Sequence, residues 1–234
     1  MAKPIEIVPI EGIGEVVPDD DVARILWEAI AAGPTSLVDG DIVVVTHKIV
    51  SKAEGRIVQA ESEAEYRQAV EDEAVAIIRR RGELVIAQTS HGFICANAGV
   101  DRSNIDGDRI VLLPERPDRS AATIKSRLEN FSGCTIAVII SDTFGRPWRR
   151  GLTDVAIGVA GMAPIQDLRG TTDMHGRVLE VSEIAIVDEI ASAADLAMGK
   201  STGIPAAIVR GVTWVPTSGR AAELVRPASE DMFR

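Results

Sequence analysis

Aromatic residues make up only 3% of this 234-residue chain. That excludes a core built on stacked rings, so Ile, Val, Leu and Ala must fill the interior. Cysteine is scarce too. Cys95 and Cys134 share no CxxC or Cys/His spacing, which excludes a disulfide framework and a cysteine-ligated zinc site. Two buried free thiols in a reducing cytoplasm are expected, because residues 1–4 do not open a secretory leader. No apolar run approaches the length of a membrane span. Positive charge is in the minority, with 25 Lys and Arg against 35 Asp and Glu and a formal net charge of −10. Such a chain is a poor partner for nucleic acid or an anionic membrane, although a local basic pocket can still take a small anion. GxxxxGK[ST] is missing, which leaves a Walker-type nucleotide site without support. Gly12-Ile13-Gly14 lacks the third glycine of a dinucleotide fingerprint. His47, His91 and His175 stand far apart and show no metal spacing.

What is present is an ordinary folded composition, 46% hydrophobic and 26% charged. The length suits one large α/β domain or two small interleaved ones, stable without disulfides or structural metal. Residues 5–10 alternate as a strand. Asp19, Asp20 and Asp21 offer caps to a helix whose apolar face is Val22, Ile25, Leu26, Ala29 and Ile30, ended by Gly33-Pro34. Ile42 to Val45 reads as a buried strand, and residues 46–52 as a polar, basic continuation at a sheet edge. Residues 61–81 give the longest helical pattern, with Gly82 as its stop. Strands are expected at 84–86, 92–100, 110–113, 135–140 and 204–209. Helices are expected from Ser120 through Leu128 and over 183–198, followed after the last strand by a polar tail. There is no internal repeat or linker. The order of elements points to a mixed α/β or α+β fold. Small residues at 156–163 and 191–197 imply close backbone approach, either between subunits or of helix on sheet.

Three stretches carry candidate chemistry. Ser141-Asp142-Thr143-Phe144-Gly145-Arg146 follows an apolar strand, and ligands of α/β sheets gather at strand carboxyl ends. Its carboxylate and hydroxyl are hard oxygen donors suited to Mg2+ or Mn2+, while Arg146, Arg149 and Arg150 suit phosphate oxygens. A turn with Asp142 as a helix cap is the structural alternative. Asn97-Ala98-Gly99-Val100-Asp101-Arg102-Ser103-Asn104 adds a second carboxylate, Asp101, and the amide of Asn104, or is simply an Asx-rich turn. Lys48 and Lys52 follow a buried strand and can point ammonium groups at phosphates, or stand on a solvated edge.

Taken together, these stretches resemble the coenzyme F420-0:L-glutamate ligase family, which also forms the N-terminal part of a bifunctional actinobacterial enzyme. The resemblance is carried by Glu11-Gly12-Ile13, Asp39-Gly40-Asp41, residues 49–56 (IVSKAEGR), residues 97–101 (NAGVD) and Ile140-Ser141-Asp142-Thr143. Further pieces are Gly145-Arg146, Arg149-Arg150-Gly151, Gly176-Arg177, Asp188-Glu189 and Gly203-Ile204-Pro205, in family order up to about Gly211. It implies a two-domain α/β fold, an intertwined homodimer, GTP as co-substrate, two Mg2+ or Mn2+ ions per site and a stimulating K+. The implied reaction joins L-glutamate to the acid end of the deazaflavin coenzyme's side chain, releasing GDP and phosphate. Residue by residue, Asp101 and Asp142 match metal ligands and Thr143 a ligand of a second metal. Asn104, Lys52 and the His47-Lys48 pair match nucleotide contacts, and Ile13, Gly14, Glu15 and Val16 match an N-terminal nucleotide loop. Arg146 is added on physical grounds as a phosphate neutraliser. Two positions depart from the pattern. His47 stands where a small hydroxyl residue is expected, and Lys200 where archaeal members carry an acid. Only the ligase half is expected, without the flavin-binding domain of the bifunctional form. The alternatives are an amide ligase with a different carboxylate acceptor and a non-catalytic nucleotide-binding subunit.

Overall fold

The computed structural model describes residues 4–103 and 107–232. The strands are β1 (Glu6–Pro9), β2 (Ile42–Thr46), β3 (Ile57–Gln59), β4 (Ala74–Arg81), β5 (Leu84–Thr89), β6 (Ile94–Ala96), β7 (Arg109–Val111), β8 (Ala137–Arg146), β9 (Arg149–Ala160), β10 (Gln166–Asp167), β11 (Glu183–Ile184) and β12 (Ala206–Arg210). The α-helices are α1 (Val22–Ala32), α2 (His47–Ala53), α3 (Glu63–Glu73), α4 (Pro117–Ser132) and α5 (Ile186–Met198).

The main sheet has the order β1-β12-β2-β8-β9. Only β2 and β8 run parallel, with Thr46 opposite Ser141; the other neighbours are antiparallel. Both central strands are continuous apolar runs because both faces of the sheet are covered. Val43, Val45, Val138 and Ile140 face α1 and α4 through Leu26, Ile30, Ile124 and Leu128. Ile42, Val44, Ala137 and Ile139 face α5 through Val187, Ile190, Ala191 and Ala194. The period of two thus sorts one apolar run into two cores. A third core, with Val70, Val85, Ala87, Val100 and Ile110, lies among α3, β5 and β7.

The structure is mixed α/β, as composition and pattern imply, and differs from the expected elements in several places. The helix expected over 61–81 stops at Glu73, and Ala74–Arg81 is a strand paired with β5. Gly82, at φ +58, serves the two-residue turn of that hairpin rather than a helix stop. Residues 47–53 form a helix and not a sheet edge. The segment 141–146 continues β8 as strand, so Asp142 caps no helix. Glu183 and Ile184 belong to β11, ahead of α5. The polar tail packs back: Trp214 Nε1 donates to the Gly40 carbonyl at 2.9 Å, and Ala221 is fully buried. Cys95 is buried, but Cys134 is only half-buried, with its thiol on the Leu37 carbonyl.

The small-residue stretch of β9 is explained within the chain. A Cβ on Gly158 would lie 2.6 Å from the Pro117 carbonyl, and one on Gly161 2.5 Å from Lys125 Cε. Glycine lets the start of α4 lie directly on the strand. Gly158→Ala is expected to push α4 outward and to lower stability by about 1–3 kcal/mol in urea unfolding, with no change predicted for Gly145→Ala, where a Cβ meets nothing within 4 Å.

Candidate active site

Because β2 and β8 are parallel and in register, their carboxyl ends open side by side. A cleft of about 700 Å³ lies there, lined by Ile13, Gly14, Glu15, Val16, His47, Lys48, Lys52, Asp101, Asp142, Thr143, Asp154 and Lys200 among others. A second cleft, of about 760 Å³, lies between α1, α2 and α4. There Asp21 already pairs with Arg127, and Glu54 accepts from Ser120.

The α2 helix begins at the end of β2. Its i,i+4 spacing divides it into two faces. Lys48 and Lys52 point into the cleft, while His47 and Ser51 are buried beneath it. Lys52 Nζ donates to Glu15 at 2.7 Å, which ties the N-terminal loop across the cleft. Lys48 Nζ meets Asp101 Oδ2 at 2.9 Å and Ser103 Oγ at 2.6 Å. His47 is 1% exposed. Its Nδ1 lies 3.3 Å from Ser51 Oγ, and its Nε2 lies 3.3 Å from Asp142 Oδ1 without hydrogen-bond geometry. The side chain therefore lies beneath Asp142 in the wall of the cleft, almost wholly buried.

Asp101 is placed by the segment before it. Asn97, Ala98 and Gly99 all have positive φ. Asn97 accepts from the Val85 amide and donates to Tyr66, and a Cβ on Gly99 would collide with Leu113 at 2.7 Å. Asp101 then bridges Val111 and receives the Ser103 amide and hydroxyl. Burial raises its pKa, but the Lys48 ammonium and the Ser103 donors outweigh that and hold it below the usual carboxylate range. Because its folded-state value is depressed, Asp101 favours the folded state above the ordinary range. It loses that contribution as pH falls through its own lower value.

Asp154 is the residue that sequence reasoning missed. It sits opposite Thr143 in the β8–β9 ladder and is 3% exposed. Ser141 donates to one of its oxygens at 2.9 Å and Thr143 to the other at 2.6 Å; Lys200 lies 3.6 Å away and also bonds Thr143 Oγ1. With its proton committed to Asp154, the Thr143 hydroxyl offers only lone pairs to the cleft, so it suits a cation. A lone acid bordering a run of small and apolar residues was the available signal. Asp195 on α5 has its pKa raised by burial and by Asp154, against the pull of Lys200.

Of the expected site residues, the structure brings together Ile13 to Val16, His47, Lys48, Lys52, Asp101, Asp142 and Thr143. Asn104 lies outside the described residues. Arg146 is at the exposed tip of the β8–β9 hairpin, outside the cleft lining, with its guanidinium on the Arg150 carbonyl at 2.7 Å. Among the described residues, no three His, Cys, Asp or Glu side chains converge as a closed metal cage. The donors present are carboxylates and a hydroxyl acting as acceptor. They fit a hard cation that keeps waters and takes its remaining oxygens from a substrate phosphate.

Fold and site thus define the class: a mixed α/β protein with an acid-and-lysine cleft at its strand ends, suited to an anionic substrate. A family model described as F420-0:Gamma-glutamyl ligase matches residues 12–211, and the chain belongs to that family. It is 41% identical to the coenzyme F420:L-glutamate ligase of Methanothermobacter thermautotrophicus, over 98% of this chain and 99% of that protein. The proteins of the same name from Methanocaldococcus jannaschii and Methanopyrus kandleri are 39% and 38% identical, over 89% and 98% of this chain and 90% and 97% of their own lengths.

The Lys48–Asp101 pair makes a direct prediction. In Lys48→Met, burial and the Ser103 donors remain but the ammonium is lost, so the Asp101 carboxyl should titrate at higher pH in a carbon NMR experiment. An unchanged titration would rule the pair out as the cause.

Proposed function

We propose that the chain is a GTP-dependent ligase that joins L-glutamate to coenzyme F420-0. The observation that carries this reading is the meeting of Asp101, Asp142, Thr143, Lys48, Lys52 and the 13–16 loop in one cleft, in a chain that belongs to this family. A carboxylate and an amine do not condense usefully in water, so the acid must first be activated. A carboxylate oxygen of the acceptor attacks the γ-phosphorus of GTP, and GDP leaves with the bridging oxygen. The glutamate amine then attacks the acyl carbon, phosphate leaves, and the amine loses a proton. Phosphoryl transfer depends mainly on positioning and on neutralising charge.

This chain's residues suit those tasks. Lys48 and Lys52 stand ready to leave their carboxylate partners, Asp101 and Glu15, for phosphate oxygens, and the 13–16 loop borders the same cleft. Asp101 and Asp142 would hold Mg2+ or Mn2+, with Thr143 toward a second ion. When bound, the metal supplies charge neutralisation at the phosphates. His47 orients Asp142 from beneath and is not a nucleotide contact in this reading. Lys200 bonds Thr143 and would have to leave it for a second ion to bind there. Arg146 would add charge at the cleft's outer end rather than at its floor. K+ as a stimulating ion and a homodimer in the cytoplasm complete the proposal. Exposed Val75, Ile77, Leu84 and Ile94 on the β4-β5-β6 sheet support self-association.

The test is mass spectrometry of the coenzyme after incubation with GTP, Mn2+ and glutamate. Addition of glutamyl mass with release of GDP and phosphate is expected; GTP binding without turnover would overturn the F420-0 reading, and assays with other carboxylate acceptors would then separate a different ligase from a non-catalytic subunit. Asp142→Ala should keep its circular dichroism yet lose at least about a hundredfold in kcat. Near-normal turnover in that variant would refute the role given to Asp142.

A further inference from the structure

We infer that the tip of the β8–β9 hairpin grips the body of the carboxylate acceptor, an elongated molecule with a flat aromatic group and negative charge. Trp148 provides a stacking face and Arg149 and Arg150 provide the countercharge. The inference rests on the acceptor reading above and extends it to residues outside the cleft lining.

Three observations carry it. The first is charge. Residues 144–153 contain three arginines and no acid, in a chain of net charge −10. The second is backbone conformation. Arg146 pairs with Arg149, which leaves Pro147 and Trp148 as the central turn residues, and Trp148 has φ +61. Proline at the first central position with positive φ at the second is the pattern that normally takes glycine or asparagine there. A tryptophan in that place is conformationally costly. Its side chain is 85% exposed, so little core packing offsets the cost. Arg146, bonded to the Arg150 carbonyl, braces the turn that carries Trp148.

The third observation is reach. The same hairpin carries the catalytic cleft at its base, where Asp142 is opposite Val155 and Thr143 is opposite Asp154. Leu152, 67% exposed, lines the cleft on the way out and gives an apolar step between floor and tip. Three residues of strand separate Thr143 from Arg146, roughly 10 Å. A molecule whose carboxylate reacts at the floor therefore reaches the tip if its body extends roughly 10 Å from that carboxylate. Planar guanidinium groups both stack on such a ring and pair with its anionic linker. The nucleotide-side groups, Lys48, Lys52 and the 13–16 loop, come from other elements.

Coenzyme F420-0 is its own probe, since its ring fluoresces. Its binding should be titrated without GTP, alongside a separate GTP titration, for the unaltered chain, Trp148→Ala, Trp148→Phe and the double variant Arg149→Ala/Arg150→Ala. Trp148→Ala and the double variant should each weaken coenzyme binding about tenfold. Trp148→Phe should recover most of the loss, and GTP affinity should not move. Unchanged coenzyme affinity in both the alanine variant and the double variant would overturn the inference while leaving the proposed reaction standing. So would an equal loss of GTP and coenzyme binding, or a shift from dimer to monomer with coenzyme affinity intact. If the unaltered chain fails to bind the coenzyme, the acceptor reading itself falls and takes this one with it.

Discussion

The parallel, in-register pairing of β2 with β8 is the constraint on which the rest of this molecule depends. It sets Thr46 beside Ser141, so the residues that follow, His47 with Lys48 and Asp142 with Thr143, emerge at one edge. An antiparallel pairing would send them to opposite ends of the sheet. The pairing holds because Ile42–Val45 and Val138–Ile140 are fully buried on both faces, between α1 and α4 on one side and α5 on the other. Burial of each such side chain contributes about 1.5–3 kcal/mol as an upper estimate. Asp41, fully buried at the start of β2, is held by two bonds from Arg210 at 2.8 Å, which fastens β12 to the same frame.

The three lysines of the cleft are each paired before any ligand arrives. Lys48 faces Asp101, Lys52 faces Glu15, and Lys200 faces Thr143 and Asp154. A desolvated charge without a partner is costly, so these pairs make an otherwise unfavourable cluster tolerable. They also leave it exchangeable, because Lys48, Asp101 and Glu15 keep some contact with water. Under the proposed function, a triphosphate with its cations would supply the same charges in another arrangement. The buried pair of Asp154 with its two hydroxyl donors is different in kind. It fixes which way Thr143 presents its lone pairs and does not need to exchange.

The same elements show how far reading along the chain reaches. β2, α1 and the apolar part of β8 are legible because their burial pattern is local in sequence. The stretch 74–81 is not. Next to a strongly capped helix, Val75, Ile77 and Ile78 continue a pattern that reads as helical, and only pairing with β5 decides for strand. Residues 47–53 fail in the opposite sense. Ile49 and Val50 favour extended chain, yet the segment turns helical because its i,i+4 pairs must divide between core and cleft. Asp154 shows along the chain only as a lone acid beside small and apolar residues, because its partners, Ser141 and Thr143, lie across a hairpin.

The linear order of residues determined the composition of the core, the mixed α/β class, the family, and the acids and lysines that merit attention, since each follows from local pattern or motif. The tertiary structure decided which of those side chains share a cavity: it seated Asp101 on Lys48, turned His47 under Asp142, added Asp154 and carried Arg146 out to the hairpin tip. These are distances between residues far apart in the chain. They are set by strand register and helix packing, and no local spacing encodes them.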